Sequence, residues 1–435
     1  MAGTQLNLQR NTTVFYSIKD LRLSATDAAD LTPQNTWRVE VLAGYALSAD
    51  SAVQDITSLE SGLDPDRSVQ RFNTARNPVE WNFQTYLRPT GAEKNEAGDS
   101  RGGEAQFSNC KPTADWYLWQ ALMSNTAPAT SNTGEQSVWF FDSATGDGSI
   151  RTQERTASAN AATSRSNFAI AQENFLYMKL DNIVYQVKDA IVNSGEIDAS
   201  VDGIATTTWS GFGTELIELT GDARNKAITV FGGILNDGTE IADNASTSLT
   251  EAAHHHPYAT MNIDSTDTTV DFIKNRLSSI RISHQGSSSE GANIYTFPIT
   301  GLSFSYTNDV TYLTPEELAA LNTPIGQFAG SRTITGTFTA YLRSESEAST
   351  RSNSAQFLNK VVNDSRVSSA TTTSCNLNIG GETAPYVKIN MPATQFSFPV
   401  HQIDDILGIS VDFLAQEDNR GTADEIQLFV RSDNF

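Results

Sequence analysis

A segment of twelve residues occurs twice in this chain, and the repeat constrains the fold more than any other feature of the sequence. The first version is NPVEWNFQTYLR, residues 77–88, and the second is RTITGTFTAYLR, residues 332–343, 255 positions later. Apolar or small residues alternate with polar ones in both, and a period of two predicts a β-strand with one buried face. The polar positions, such as Glu80 and Thr335, are expected to face water or another chain.

Other segments recur in the same order around this strand. A repeat that is collinear over many segments indicates a duplicated unit rather than a chance match of one strand. The matched segments are 18–24 with 277–283, Gly44 with Gly301, Leu47 with Phe304, Ser48 with Ser305, 176–182 with 385–391, and 199–203 with 409–413.

Helical signals recur as well. Thr57 and Thr314 each begin a T-x-x-E capping box, in which the hydroxyl and the carboxylate satisfy free amides at a helix start. After the repeated strand, residues 113–123 carry apolar side chains at helical spacing, and residues 354–362 are their counterpart. We therefore expect one short helix in each half of the chain.

These matches predict two copies of one unit. We assign residues 1–213 to the first copy, residues 214–270 to a linker that contains strands, and residues 271–435 to the second copy. The first copy carries an insertion at about 124–173, which reads as a β-hairpin around a SATGDG turn. The aromatic run at 139–141 suits either a contact with another subunit or packing onto its own domain.

The composition narrows the function classes. With 51 acidic and 29 basic residues, the chain has a formal net charge of −22, so it is expected to repel nucleic acid phosphates and anionic lipid. No apolar run approaches a membrane span, and the first residues lack a signal core, which predicts a soluble protein that stays in the cytoplasm where it is made. Cys110 and Cys375 sit at non-equivalent places and form no disulfide framework.

No catalytic, cofactor-binding or metal-binding residue is predicted. The three histidines at 254–256 lack acidic or thiol partners at ligand spacing, and the GFG at 211–213 lacks the rest of a nucleotide-binding motif. The loop that begins at Asp142 fails the calcium pattern, and the adjacent carboxylates Asp404 and Asp405 would diverge in a strand. We therefore expect neither enzyme activity nor a cofactor.

The stretch YTNDVTYLTPEELAALNTPIGQFAGSRTITGTFTAYL, residues 306–342, resembles the signature region of the major tail tube proteins of tailed bacteriophages. The resemblance implies a mainly β fold with two tandem β-sandwich units, each with a short α-helix. In that family the units also contribute strands to a β-barrel that closes between subunits. A closed barrel leaves no exposed sheet edge, which removes an aggregation hazard.

The same resemblance implies how the chain assembles. Most family members carry one unit and form hexameric rings, whereas a chain with two units forms a ring of three with a sixfold appearance. Stacked rings would form a tube in the virion tail, assembled in the host bacterial cytoplasm, through which DNA passes without specific binding. The expected partners are further copies of the chain, the tail terminator, tape measure and baseplate or tip proteins, and a sheath where the tail contracts; no membrane is expected.

Three other classes of protein share some of these sequence features. A tube protein of a related secretion or tail-like injection apparatus fits the β units, although such proteins are usually a single short copy. A cell-surface adhesin built of tandem sandwiches fits the composition but should begin with a signal peptide. A glycan-active enzyme would need paired carboxylates in a cleft.

Overall fold

The fold is described here from a computed structural model of the chain. The described residues are 12–17, 36–39, 41–56, 70–87, 116–123, 139–142, 147–151, 174–180, 183–218, 233–234, 240–241, 273–284, 294–314, 323–324, 326–342, 357, 373–381, 385–397, 400–402, 407–417 and 425–431. We call the part up to residue 218 the N-terminal half and the part from residue 273 the C-terminal half.

Strands dominate both halves, so the prediction of a mainly β chain is confirmed. The elements of the N-terminal half are β1 (Thr12–Ser17), β2 (Thr36–Val39), β3 (Ala46–Ser48), β4 (Ser51–Ile56), β5 (Gln70–Arg76), β6 (Val79–Tyr86), α1 (Trp116–Met123), β7 (Trp139–Asp142), β8 (Asp147–Arg151), β9 (Phe175–Leu180), β10 (Ile183–Lys188), β11 (Ile191–Ser200), β12 (Thr206–Gly213) and β13 (Glu215–Glu218). Two strands of two residues follow, β14 (Gly233–Ile234) and β15 (Glu240–Ile241).

The C-terminal half opens with a short 3-10 turn at Asn275–Leu277. Its strands are β16 (Ser279–His284), β17 (Ile294–Pro298), β18 (Gly301–Thr307), β19 (Val310–Leu313), β20 (Gly326–Ala329), β21 (Thr333–Tyr341), β22 (Thr373–Ile379), β23 (Tyr386–Met391), β24 (Ala393–Phe396), β25 (Val400–Gln402), β26 (Gly408–Gln416) and β27 (Gln427–Arg431).

The largest sheet crosses both halves of the chain. Its strands lie in the order β24, β26, β21, β18, β11, β12, β6 and β3, and every pairing is antiparallel. β24 and β25 both pair with β26, at successive parts of its length, so this nine-stranded sheet is eight strands wide. The repeated segment supplies β6 and β21.

β6 and β21 occupy matching places in this sheet. β6 lies between β12 and β3, and β21 lies between β26 and β18. Trp81 of β6 stands opposite Leu47, while its sequence counterpart Gly336 stands opposite Phe304. Leu47 and Phe304 are themselves a matched pair in the sequence, so the two halves share the register between these strands.

At one pair of facing residues, the large and the small side chain are exchanged between the two strands when the two halves are compared. Trp81 lies opposite Gly211 in the N-terminal half, and Gly336 lies opposite Phe413 in the C-terminal half. A Cβ atom at Gly211 would overlap the Trp81 ring, and one at Gly336 would overlap the Phe413 ring. Each half therefore fills the same space with one aromatic side chain, placed on opposite strands of the pair.

Two smaller sheets complete the core. One has the order β13, β10, β9, β1 and β2, and the other has the order β17, β16, β22, β23, β27, β8 and β7. The first sheet, read from β2, has the order β2, β1, β9, β10 and β13. The second sheet, read from β17, has the order β17, β16, β22, β23 and β27, and these five strands correspond one to one. Buried side chains from all three sheets, among them Tyr16, Trp81 and Ile389, form one contiguous cluster.

The helix after the repeated strand is present. α1 spans Trp116–Met123, inside the predicted range, and buries Leu118, Trp119 and Leu122. The rings of Trp119 and Trp209 meet edge to face with their centroids 4.8 Å apart, which ties the helix to β12. Of the second predicted helix only Phe357 is described, as a helical and buried residue, and both capping-box helices lie outside the described residues.

Two of the later sequence matches, 176–182 with 385–391 and 199–203 with 409–413, are wrong by one strand. β9, matched in sequence to β23, lies between β1 and β10, which is the place that β22 has in its own sheet. Residues 409–413 lie in β26, the positional counterpart of β12, whereas the segment matched to them begins at the end of β11. By position in its sheet, β1 is the counterpart of β16. Residues 18–24, which the sequence matches to β16, lie outside the described part.

The insertion contributes a hairpin to the other half of the same chain. β7 pairs with β8, and β8 pairs with β27, the last described strand. The aromatic run at 139–141 therefore belongs to a strand that extends the C-terminal sheet. β13, which the sequence assigns to the linker, pairs with β10 and belongs to the N-terminal sheet.

Candidate functional site: the polar face of the nine-stranded sheet

One face of the nine-stranded sheet packs into the core, and the other is mostly polar, except at one end where Phe212 packs against Tyr312. On β6, alternate residues from Val79 to Thr85 are buried, while Glu80, Asn82 and Tyr86 are exposed. The polar face, as we use the term, consists of Glu80, Asn82, Gln84 and Tyr86 on β6, Thr206, Thr208 and Ser210 on β12, Glu196, Asp198 and Ser200 on β11, Ser303 and Ser305 on β18, Thr333, Thr335, Thr337, Thr339 and Tyr341 on β21, and Ser410, Asp412, Leu414 and Gln416 on β26.

The charge on this face has one sign. It carries four carboxylates, Glu80, Glu196, Asp198 and Asp412, and none of the strands of the nine-stranded sheet contains a lysine or an arginine within its bounds. We call the five-stranded and seven-stranded sheets the outer sheets. Their strands contain the basic residues Arg38, Arg151, Lys179, Lys188, Arg281, Lys388 and Arg431. The polar face thus carries carboxylates with no lysine or arginine in its strands, whereas the strands of the outer sheets carry basic residues together with Asp142, Asp147, Glu215 and Glu218.

Short polar side chains connect neighbouring strands along the face. Gln84 donates from its amide nitrogen to the hydroxyls of Thr206 and Thr208, at 3.2 and 3.3 Å. On β21 the Thr337 hydroxyl donates to the Asp412 carboxylate at 2.6 Å. These bonds run across strands and hold the side chains of Gln84 and Thr337 against the sheet.

A concavity lies on the part of the polar face that the C-terminal half supplies. Its volume is about 540 Å³, and its lining includes Ser303, Thr335, Thr337, Asp412 and Leu414. Its lining combines serine and threonine hydroxyls and the Asp412 carboxylate with the apolar side chains of Phe396, Phe413 and Leu414.

The two halves meet at the pairing of β11 with β18 in the middle of this sheet. The ladder runs from Ser194 opposite Thr307 to Ser200 opposite Gly301, and Glu196 stands opposite Ser305. We call this pairing the internal junction. It is as regular as the pairings within each half, so the sheet continues across the boundary without a break.

Side chains around the internal junction tie the two halves together. Asn275 donates to the carbonyl oxygens of Ser200 and Gly203 at 3.0 and 2.9 Å. The Tyr312 hydroxyl donates to the carbonyl oxygen of Asp189 at 3.3 Å. Burial, and then the charge of Asp189, raise the pKa of Tyr312, so this phenol stays a proton donor at physiological pH.

Asn308 joins the C-terminal half to α1. Its side-chain amide donates to the carbonyl oxygen of Leu122 at 2.8 Å, in a buried position near the end of the helix. This carbonyl is among the last four of the helix, which have no partner within the helix itself. Asn308 therefore caps a helix that belongs to the other half.

Replacing Asn308 with alanine is expected to lower the free energy of unfolding by about 1–3 kcal/mol, because the buried Leu122 carbonyl loses its donor. Urea denaturation followed by tryptophan fluorescence measures the change. The matched control is Asn82→Ala, at an exposed site on the polar face, which should change stability by less than about 0.5 kcal/mol. Equal effects of the two substitutions would show that the helix contact contributes little.

The residues that the sequence sets aside fall mostly outside the described part, including the histidines at 254–256, Asp404 and Asp405, and the loop after Asp142. Among the described residues, no group of histidine, cysteine and acidic side chains is placed to bind a metal ion. Cys375 is fully buried, and this burial raises the pKa of its thiol. No helix in the described part has the length and apolar character needed to cross a membrane.

Sequence reasoning missed three features of the site. It did not identify the pairing of β11 with β18, the separation of charge between the sheets, or the role of Asn308. The charge separation had a signal, because strands without lysine or arginine are already visible in the sequence. The other two depend on contacts between residues more than 100 positions apart.

Comparison with known proteins gives one relative over almost the whole chain. No protein-family model matches the sequence. The chain is 26% identical over 433 residues to the tail tube protein pb6 of Escherichia phage T5, an alignment that covers 97% of this chain and 75% of that protein. The match extends through both halves, including the repeated strand and the polar face. The chain is therefore similar, over almost its whole length, to a tail tube protein of a tailed bacteriophage.

Proposed function

We propose that three chains form a ring by joining their nine-stranded sheets edge to edge, and that stacked rings form a tube through which DNA passes during ejection. The observation that carries this proposal is the internal junction. There, the pairing of β11 with β18 joins four strands of the N-terminal half and five strands of the C-terminal half in a single continuous sheet. An open sheet presents unpaired edges, and closure between subunits satisfies them.

Two units per chain are supported by the shared strand order and register of the two halves. We propose that the first unit comprises residues 1–213 with β13 added, that the insertion at about 124–173 belongs to it, and that the second unit comprises residues 271–435. The exchange of Trp81 and Gly211 for Gly336 and Phe413 also supports a common origin, because divergence has kept the total volume similar.

The width of the sheet supports three chains per ring. Three sheets, each eight strands wide, give 24 strands. With strands about 4.8 Å apart and tilted by about 40°, 24 strands close into a cylinder about 48 Å across between opposite backbones. This leaves an open lumen wide enough for a DNA duplex, whereas six chains would close into a cylinder about twice as wide.

The polar face is the surface we assign to the lumen. Its four carboxylates and its serine, threonine and glutamine side chains repel phosphates or bind them weakly, so DNA would pass without being retained. The basic residues of the outer sheets would lie away from the lumen. In this arrangement no catalysis is required of the chain, and its relative is likewise named as a tube protein.

The partners required by this role are further copies of the chain, in the ring and in stacked rings. At its ends and inside, such a tube would contact the tail terminator, the tape measure and the baseplate or tip proteins, and a sheath would surround it in a contractile tail. A second candidate is the tube of a related secretion or tail-like injection apparatus. Detection of the chain in purified virions that contain DNA separates the two.

The experiment that tests the proposed ring is native mass spectrometry of the purified full-length chain, combined with negative-stain imaging at high concentration. Rings of about 142 kDa, three times the 47.2 kDa of the chain, and tubes built from them are expected. A ring with the mass of six chains, or a monomer that never assembles, would overturn the proposal.

A further inference from the structure

We infer that the edge strand β3 pairs with β24 and β25 of a second copy of this chain, antiparallel, with Ser48 opposite Val400 and Ala46 opposite Gln402. The inference rests on the proposed ring and adds to it the identity and the register of the strands that join one chain to the next. The partner is thus a second copy of the chain, and the interface is the backbone edge of the sheet.

The two edges of the nine-stranded sheet are the first part of the argument. Within the described residues, β3 pairs with β6 on one side, and β24 and β25 pair with β26 on one side. Each therefore presents a row of backbone donors and acceptors on its other side, which a further strand can satisfy. Ala46 and Ser48 are exposed.

The internal junction is the template for this contact. By position in the sheet, β18 is the counterpart of β3, and β11 is the counterpart of β24 with β25. The pairing of β18 with β11 is therefore the same contact as that of β3 with β24 and β25, made between two halves of one chain. Each chain contains one such junction between its own two halves. Its two edge strands can therefore form further junctions of the same kind with the edge strands of neighbouring chains.

The register follows from pairings within the sheet, beginning with β3. Ser48 stands opposite Glu80, and Ser305 stands opposite Thr335. Glu80 and Thr335 are counterparts in the repeated strand, since they are 255 positions apart. Ser48 is therefore the counterpart of Ser305, and Ser305 stands opposite Glu196 in the internal junction.

The counterpart of Glu196 is found in the same way. Glu196 stands opposite Thr208, and Thr208 stands opposite Gln84. In the C-terminal half, Thr339 is the counterpart of Gln84; it stands opposite Ser410, which in turn stands opposite Val400. Val400 is thus the counterpart of Glu196. The pair Glu196 and Ser305 of the internal junction therefore corresponds to the pair Val400 and Ser48 between two chains.

A second pair, two residues along each strand, gives the same register. Asp198 stands opposite Ser303 in the internal junction and opposite Thr206 within its own half. The counterparts of Asp198 and Ser303 are Gln402 and Ala46, because Gly408, the counterpart of Thr206, stands opposite Gln402. Ala46 opposite Gln402 is the antiparallel neighbour of Ser48 opposite Val400, two residues along each strand.

The two kinds of junction differ in chemistry. The internal junction places Glu196 and Asp198 beside serine residues. At the same positions the junction between chains has Val400 and Gln402, and β3 contributes Ala46 and Ser48, so none of these four residues is acidic or basic. Neutral edges can approach each other without repulsion, which suits a contact that must form between separate molecules of high negative charge.

Disulfide trapping tests the register. In a Cys110→Ser background, with the buried Cys375 retained, the pair Ser48→Cys with Val400→Cys is assembled, oxidised with diamide and run on a non-reducing gel. Directly opposite residues have Cα atoms about 4.5–5.5 Å apart, within the range of a disulfide, so covalent trimers are expected. Ala46→Cys with Gln402→Cys should behave alike.

The control pair is Ser48→Cys with Gln402→Cys, which is displaced by two residues to a separation of about 7–8 Å and should not form a disulfide. Glu196→Cys with Ser305→Cys is the positive control, because it should link within one chain and leave the protein monomeric on the gel. Rings that form without a link between 48 and 400, or that link 48 to 402, would overturn the register while leaving the proposed ring intact. Failure to form rings at all would overturn both.

Discussion

Replacing Gly211 or Gly336 with alanine is expected to destabilise the chain severely, by about 3 kcal/mol or more. A Cβ at Gly211 would overlap the Ile191 carbonyl oxygen and the Trp81 ring, and one at Gly336 would overlap the Phe413 ring. The matched control is Gly326→Ala on β20, where a Cβ meets no atom within 4 Å. Urea denaturation of the three variants gives the three free energies of unfolding.

A smaller aromatic partner should restore only part of the stability lost at either glycine. A Cβ at Gly336 would overlap both the Phe413 ring and the Ser303 carbonyl oxygen, so adding Phe413→Leu to Gly336→Ala removes one of the two overlaps. A Cβ at Gly211 would overlap the Ile191 carbonyl oxygen most closely, so adding Trp81→Phe should recover little. If Gly211→Ala and Gly336→Ala were as stable as Gly326→Ala, the close packing of aromatic rings on these glycines would be refuted.

Reversing charge on the polar face is expected to convert a tube that does not retain DNA into one that does. The triple variant Glu80→Lys, Glu196→Lys, Asp198→Lys changes the charge of each chain by +6 at positions that we assign to the lumen. Binding to duplex DNA should appear at low salt and fall by about 10³-fold or more between 50 and 200 mM salt, because lysine contacts release counterions from the phosphates. Co-sedimentation of labelled DNA with assembled tubes measures it.

The control for this experiment is the neutral variant Glu80→Gln, Glu196→Gln, Asp198→Asn, which has similar shapes without the positive charge. It should bind DNA no better than the unaltered chain, at any salt concentration. Strong, salt-sensitive DNA binding by the unaltered tube would contradict the assignment of the acidic face to the lumen. Absence of DNA binding by the lysine variant, in tubes of normal appearance, would contradict it equally.

The repeated strand predicted more than its own conformation. Its period of two identified the buried residues of β6, including Trp81, and the matched pair Leu47 and Phe304 lies opposite corresponding positions of β6 and β21 in the structure. This worked because one-sided burial specifies the register strongly, since a slip by one residue would move every side chain to the other face. The polar face followed from the same alternation.

The later strands were assigned less well, for a physical reason. β9, β10, β22 and β23 are short apolar strands of similar pattern that lie side by side in their sheets, so local similarity does not select the right counterpart. Local sequence pattern also could not predict which strand the β7–β8 hairpin pairs with, because that strand is more than 270 residues away. Strand pairing over such distances depends on the assembled core, which no short segment encodes.

The measurement that tests the central claim most directly is an electron cryomicroscopy map of the assembled tube, reconstructed without imposed ring symmetry. Three chains per ring are expected, in a lumen wall of 24 strands about 48 Å across between opposite backbones. The three junctions within chains should alternate with three between chains, and the polar face should line the lumen. A ring of six chains, or a lumen lined by the basic residues of the outer sheets, would contradict the account.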